Sequence, residues 1–335
     1  MTFGATILDA DGLRLTREEK TLFAEVNPFG FILFARNIDN ADQVRGLCEE
    51  FRAAVGRNCP ILIDQEGGRV QRLRAPLARE WLPPLDHVAR AGDSAVRAMY
   101  LRYRLIAHEL HALGIDCNCA PMVDIARDDT HPFLANRCYG HDAETVATLG
   151  RAVADALIDG GVLPVVKHMP GHGRATMDSH HDLPHVHSDP EDLDDTDFLP
   201  FRALADLPMG MTAHLVYDRI DDAPATISPR MIDLIREQIG FDGLIMTDDL
   251  SMKALRGSLD ELSAGAIAAG CDVVLHCNGS LAERAAVAHA AGPMTADAQY
   301  RAEKALACRR DPGELDIEAA EADLSRLMGG EVYDR

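Results

Sequence analysis

The chain has 335 residues, 47% of them apolar and 26% charged, which is enough to bury a full core and excludes disorder of the whole chain. Its 33 Lys and Arg against 54 Asp and Glu leave a net charge of −21, which argues against general affinity for nucleic acid or an anionic membrane, because both polyanions would repel the surface. Any anionic ligand must then be met by a local basic patch.

In chain order, short apolar runs that read as strands alternate with stretches of helical period. A strand at 30–34 (GFILF) precedes a helix at 42–55, and a strand at 60–63 (PILI) precedes a helix at 98–113. That helix carries Leu101, Leu105, Leu110 and Leu113 on one side and stops at Gly114. Strands follow at 115–120, 162–166 (VLPVV) and 209–212, with a helix at 143–158 between the first two. The remaining pattern is helix 229–239, strand 243–246 (GLIM), helix 258–269, strand 272–275 (DVVL) and helix 281–291. Acidic residues 314–327 have helical spacing and are expected to pack on the outside as a tail near 312–335.

Strand–helix repetition implies parallel strands joined by right-handed crossovers, either in an open doubly wound sheet or in a closed barrel. The open dinucleotide-binding sheet calls for G-x-G-x-x-G after an early strand. The nearest candidate, Gly171-His172-Gly173, lies mid-chain and has Thr176 at the third glycine position. Moreover, almost every candidate strand runs into a polar cluster: Ala35-Arg36-Asn37, Asp64-Gln65-Glu66, Asp124, Lys167-His168, His214, Asp248-Asp249 and His276-Cys277-Asn278. Such clusters converge on one mouth in a (β/α)8 barrel, so the expectation is a single TIM-barrel domain spanning residues 1–335.

Residues 1–9 lack the basic segment and long apolar run of a secretory signal, and the apolar runs fall short of the ~18 residues of a membrane span, so a cytoplasmic protein is expected. The eight cysteines are too dispersed for a disulfide framework. Cys117 and Cys119, two apart in an apolar run, read as reduced core thiols, since no C-x-x-C completes a zinc site.

Three stretches carry chemistry. The first runs from Lys167 through Pro170-Gly171-His172-Gly173 to Asp178-Ser179-His180-His181, and six of the 14 histidines fall in it or just after it. Within it, Asp178 can accept one ring N–H of His180 and leave the other nitrogen to a substrate, as in an oriented acid/base histidine. The second, 245–252, ends a buried strand in Asp248-Asp249; one carboxylate can attack an electrophilic carbon while the other caps the next helix. The third, 63–72, joins Asp64 and Glu66 to Arg69 and Arg72 across Gly67-Gly68, a composition suited to binding sugar hydroxyls.

Together Asp-Gln-Glu-Gly-Gly-Arg-Val-Gln-Arg, Lys-His-x-Pro-Gly-His-Gly with Asp-Ser-His, and Gly-x-x-x-Thr-Asp-Asp-Leu-Ser-Met resemble family 3 glycoside hydrolases, specifically the bacterial cytoplasmic β-N-acetylhexosaminidases of peptidoglycan recycling. The resemblance extends to 30–37 and 120–124 and so covers nearly the whole chain. It implies a single barrel that cleaves terminal β-linked N-acetylglucosamine with retention, through a covalent glycosyl-aspartate. It further implies Asp248 as nucleophile, His180 as general acid/base and Asp178 as its partner. Asp64, Arg72, Arg137, Lys167 and His168 are the implied substrate-binding residues, and the implied substrate is N-acetylglucosamine linked to 1,6-anhydro-N-acetylmuramic acid, with or without peptide. No cofactor, metal, nucleic acid or membrane is called for. A related glycoside phosphorylase, a metal-dependent barrel hydrolase using His168, His172, His180 and Asp248, and a non-catalytic sugar-binding protein are the competing readings.

Overall fold

The computed structural model describes residues 2–175, 183–330, 332 and 333. Eight parallel strands close into a barrel: β1 (Gly4–Leu8), β2 (Pro28–Leu33), β3 (Ile61–Ile63), β4 (Cys117–Asn118), β5 (Leu163–Met169), β6 (Met209–Thr212), β7 (Leu244–Asp249) and β8 (Val273–Leu275). Each pairs with its neighbours in sequence, and β1 closes the ring by pairing Thr6 with Val274 and Ile7 with Leu275 of β8. This is the expected (β/α)8-type barrel.

The sequence reading misses β1. Its five residues are all buried, but the register comes from β2 and β8, which are distant in sequence, and not from any flanking turn signal. Conversely, the strand expected at 115–120 shrinks to Cys117–Asn118. There the Asn118 side chain takes over the pairing, accepting from Gln65 N at 3.0 Å and donating to Gln65 O at 3.1 Å. Strands β5 and β7 run further than expected, so Lys167, His168, Asp248 and Asp249 all stand on the strands themselves.

The outer helices are amphipathic for the usual reason, one apolar face at spacings of three and four. In the helix Ala41–Val55 the buried face is Val44, Leu47, Cys48, Phe51 and Val55; Phe51 stacks on Phe31 of β2 with ring centroids 4.1 Å apart. The helix Arg17–Val26, also unread in the sequence, begins with a reciprocal Thr16–Glu19 capping box and adds Phe23 to that aromatic group. The acidic tail forms a helix at Ile317–Leu327 whose Leu324 is fully buried and which packs against the helix Ala95–Ala112. Arg79 fastens it, donating to Glu321 at 2.7 Å and to Glu109 at 2.5 Å. No helix among the described residues is long and apolar enough to cross a membrane. Cys117 and Cys119 are free and buried, and burial pushes both thiols well above their ordinary range.

Candidate active site

The C-terminal ends of the strands surround a cavity of about 350 Å³ lined by Asp64, Arg72, Arg137, Lys167, His168 and Asp248, among others. Six of the eight residues singled out from the sequence therefore meet in one place. The other two, Asp178 and His180, lie outside the described residues; Ala175, the last described residue before them, lines the cavity.

One wall is a charge network built on Lys167, which is 2% exposed. Its Nζ donates to Asp64 Oδ1 at 2.8 Å and lies 2.6 Å from Glu66 Oε1. Arg72 Nη2 reaches Asp64 Oδ2 at 3.0 Å, and Arg137 grips Glu66 with two bonds of 2.9 and 2.8 Å. Burial alone would raise both carboxyls. Lys167 and Arg72 instead hold Asp64 well below the usual carboxylate range, and Arg137 and Lys167 bring Glu66 to about 2. Burial would lower the Lys167 ammonium, but Asp64 and Glu66 raise it. Asp64, Glu66, Lys167 and Arg137 are therefore charged at neutral pH.

A second wall is Asp124 with His168. Asp124 Oδ2 meets His168 Nδ1 at 2.7 Å, and its Oδ1 accepts the His172 N–H at 2.6 Å. Burial opposes ionisation of Asp124, yet His168 keeps it below its ordinary value. The imidazole is thus held in one orientation with its Nε2 edge directed away from Asp124. His172 is driven down to about 4, chiefly by burial, so its ring is neutral at neutral pH.

The floor is the end of β7. Asp248 Oδ1 accepts the Asp249 N–H at 2.8 Å. Burial would raise the Asp248 carboxyl, but His214, His168, that N–H and Lys167 hold it below its ordinary value. Asp249 turns the other way: it accepts Ser251 N at 3.0 Å, Ser251 Oγ at 2.6 Å and Cys277 N at 3.2 Å. The expectation that one of the pair caps the next helix is corrected in detail, since Asp249 closes a turn and the helix Leu259–Ala269 is capped by Ser258. His214 bonds Thr226 Oγ1 at 2.7 Å and the Asp249 carbonyl at 3.0 Å, fixing the backbone behind Asp248.

Glu66, named in the sequence only as an acid of the sugar-binding stretch, and Asp124 and His214, named only as polar residues at strand ends, hold this arrangement together. Their signal was the polar residue at a strand end; which ones pair with Arg137, His168 or Asp249 depends on neighbours 35 to 71 positions away. Among the described residues, no group of three or more His, Cys, Asp and Glu is arranged to hold a metal ion.

The model of the glycosyl hydrolase family 3 N-terminal domain matches residues 6–299. A β-hexosaminidase of Alkalilimnicola ehrlichii is 38% identical over 304 residues, 88% of this chain and 86% of that protein. One of Chromobacterium violaceum is 37% identical over 82% of this chain and 79% of its own length. Among solved structures, NagZ from Neisseria gonorrhoeae in complex with N-trifluoroacetyl-D-glucosamine is 30% identical, with a TM-score of 0.86 over 98% of this chain and 99% of that one. A family 3 β-N-acetylglucosaminidase from Paenibacillus is 29% identical, with a TM-score of 0.85 over 96% of this chain and 66% of that longer one. The chain belongs to glycosyl hydrolase family 3 and is a glycoside hydrolase of the β-N-acetylhexosaminidase kind.

Proposed function

We propose that this enzyme is a retaining exo-β-N-acetylglucosaminidase that removes terminal β-linked N-acetylglucosamine from 1,6-anhydro-N-acetylmuramic acid, with or without its peptide, in cell-wall recycling. Asp248 is the nucleophile, His180 the general acid/base, and Asp178 orients His180. The observation that carries this reading is Asp248 itself. It is an ionised carboxylate on the cavity floor, with one oxygen fixed by the Asp249 N–H and the other accepting no bond from the described residues.

Each group then has one task. The Asp64 carboxylate, charged and braced by Lys167 and Arg72, accepts bonds from sugar hydroxyls, while Lys167, Arg72, Arg137 and the free edge of His168 supply donors. In the first step Asp248 Oδ2 attacks the anomeric carbon, the glycosidic C–O bond breaks, and His180 gives its proton to the departing oxygen. In the second, His180 takes a proton from water, which attacks the same carbon and releases Asp248. The assignment of His180 and Asp178 rests on the Asp-Ser-His motif. An imidazole with a reference pKa of about 6.5 can do both jobs at neutral pH without placing a second anion near Asp248.

The test is hydrolysis of an aryl N-acetyl-β-glucosaminide, run with and without phosphate. Asp248→Ala should lose on the order of 10⁴-fold or more in kcat while unfolding at nearly the same temperature, because a mouth residue is removed and not a packed one. Substantial turnover in that variant would move the nucleophile elsewhere. Dependence of the wild type on phosphate would mean phosphorolysis.

A further inference from the structure

Asp64 and Arg72 stand at the two ends of a small hairpin, whose strands Gln65–Gly67 and Val70–Gln71 pair Gln65 with Gln71 and Gly67 with Val70. Its turn brings Arg69, an exposed residue, to the open side of the cavity. Two strands alone are marginal in water, so the position of such a hairpin depends on what supports it. Gln65 Oε1 closes the base by accepting Arg72 N at 2.9 Å and Leu73 N at 3.0 Å. Residues 79–81 hold the rest. Gly68 N–H donates to the Trp81 carbonyl at 2.9 Å, Gln71 Nε2 donates to the Arg79 carbonyl at 2.6 Å, and Gln71 Oε1 accepts Trp81 N at 3.3 Å. Gly67, at φ +101°, lies so close that a Cβ there would come within 2.9 Å of Trp81 Cβ.

The same three residues are gripped from their other side by the C-terminal segment. Trp81 and Tyr333 form an antiparallel backbone bridge, and their rings meet edge to face with centroids 5.3 Å apart. Arg79 Nε donates to Glu321 Oε1 at 2.7 Å, and the Tyr333 hydroxyl donates to that oxygen at 3.4 Å. A continuous line of contacts therefore runs from Tyr333 through Trp81 and Gln71 to Arg72. Coupling along such a line follows when one element, here the hairpin with residues 79–81, must be in place for both events.

We infer that Tyr333 is a positioning residue for substrate binding: packed on Trp81, it holds the hairpin that places Asp64 and Arg72, so that docking of the C-terminal segment and binding of the sugar favour one another. The inference rests on the reading of Asp64 and Arg72 as sugar-binding groups. Asp248 stands on β7, half-way round the ring from β3, and is fixed by a separate set, the Asp249 N–H and His214 behind it. Loss of the Tyr333 contact should therefore weaken binding and spare the chemical steps.

The experiment is steady-state hydrolysis of an aryl N-acetyl-β-glucosaminide by the full chain. Tyr333→Ala should raise KM about fivefold or more, the scale of ordinary coupling between sites, at unchanged kcat. A variant that is merely less folded would do the opposite, lowering apparent kcat at constant KM. Tyr333→Phe keeps the ring on Trp81 and should restore the wild-type KM. Coupling is reciprocal, so saturating N-acetylglucosamine should slow amide exchange across Ile317–Leu327 in the wild-type enzyme by a similar factor, a readout that needs no variant. Exchange in that helix indifferent to the sugar overturns the inference, as does a fall in kcat at constant KM in Tyr333→Ala. Arg72→Ala separates the two levels. If it raises KM and Tyr333→Ala does not, the inference alone is overturned. If Arg72→Ala leaves KM unchanged, the reading of the hairpin as sugar-binding falls, and the inference with it.

Discussion

Lys167 is a single ammonium shared by buried Glu66 and half-buried Asp64, and its removal would leave the two carboxylates facing each other without a cation between them. The charge network therefore ties binding groups to stability, and its pH signature follows from the direction of the shifts. Folded Glu66 stays ionised down to about pH 2, whereas the unfolded chain takes up that proton near 4.5. Its contribution is fully present above 4.5 and is lost as pH falls through about 2. His172 acts with the same sign in a higher window, from 6.5 down to about 4, because the unfolded ring binds a proton that the buried ring refuses. Glu66→Gln should cost about 3 kcal/mol at pH 7, since Arg137 and Lys167 lose a buried counter-ion. It should also flatten the stability curve between 4.5 and 2 while sparing the higher limb. Urea midpoints against pH would check this, and an unchanged slope below 4.5 would contradict it. The sequence makes Asp64, Lys167 and Asp248 legible because each ends or follows an apolar run. It leaves the partners of Glu66 and Asp124 unassigned, because Arg137 and His168 come from other strands and loops.

At the level of elements, the seven strands read from apolar runs are all in the barrel, and the six helices with a long apolar stripe are close to their expected positions. The exception among those helices is 229–239, which begins as an α-helix at Pro229–Asp233 and widens into a π-helix over Leu234–Gln238. What escaped reading depends on long-range contact: β1 is a strand because the ring needs an eighth member. The tail helix illustrates the same dependence from the outside. Its four charged residues among eleven give it little reason to be ordered alone, and it is held by buried Leu324 and by the Arg79 bridge between Glu321 and Glu109. Leu324→Ala should cost about 2–4 kcal/mol of local docking energy. Amide exchange across Ile317–Leu327 should then rise before that of the barrel strands does. Exchange that rises equally in both would mean that the tail is part of one cooperative unit with the barrel.

At the level of the whole molecule, the ring places Asp64 after β3, Lys167 and His168 on β5, and Asp248 on β7, so Asp64 and Asp248, 184 positions apart in sequence, share one cavity. The polar clusters at strand ends announced this convergence, but their depth order did not follow from the sequence: the paired charges and Asp248 lie inside, and Arg69 lies at the rim. That order assigns the closed end to the terminal sugar and the open end to the leaving group, and it makes attack from Asp248 a one-sided event. The central claim is double displacement at the anomeric carbon through Asp248. Proton NMR of the first product formed from a β-N-acetylglucosaminide, recorded before mutarotation, tests it most directly. The β-anomer of N-acetylglucosamine should appear first and the α-anomer only later by equilibration. An initial α-anomer would show a single inverting displacement, with Asp248 acting as a base and no covalent intermediate.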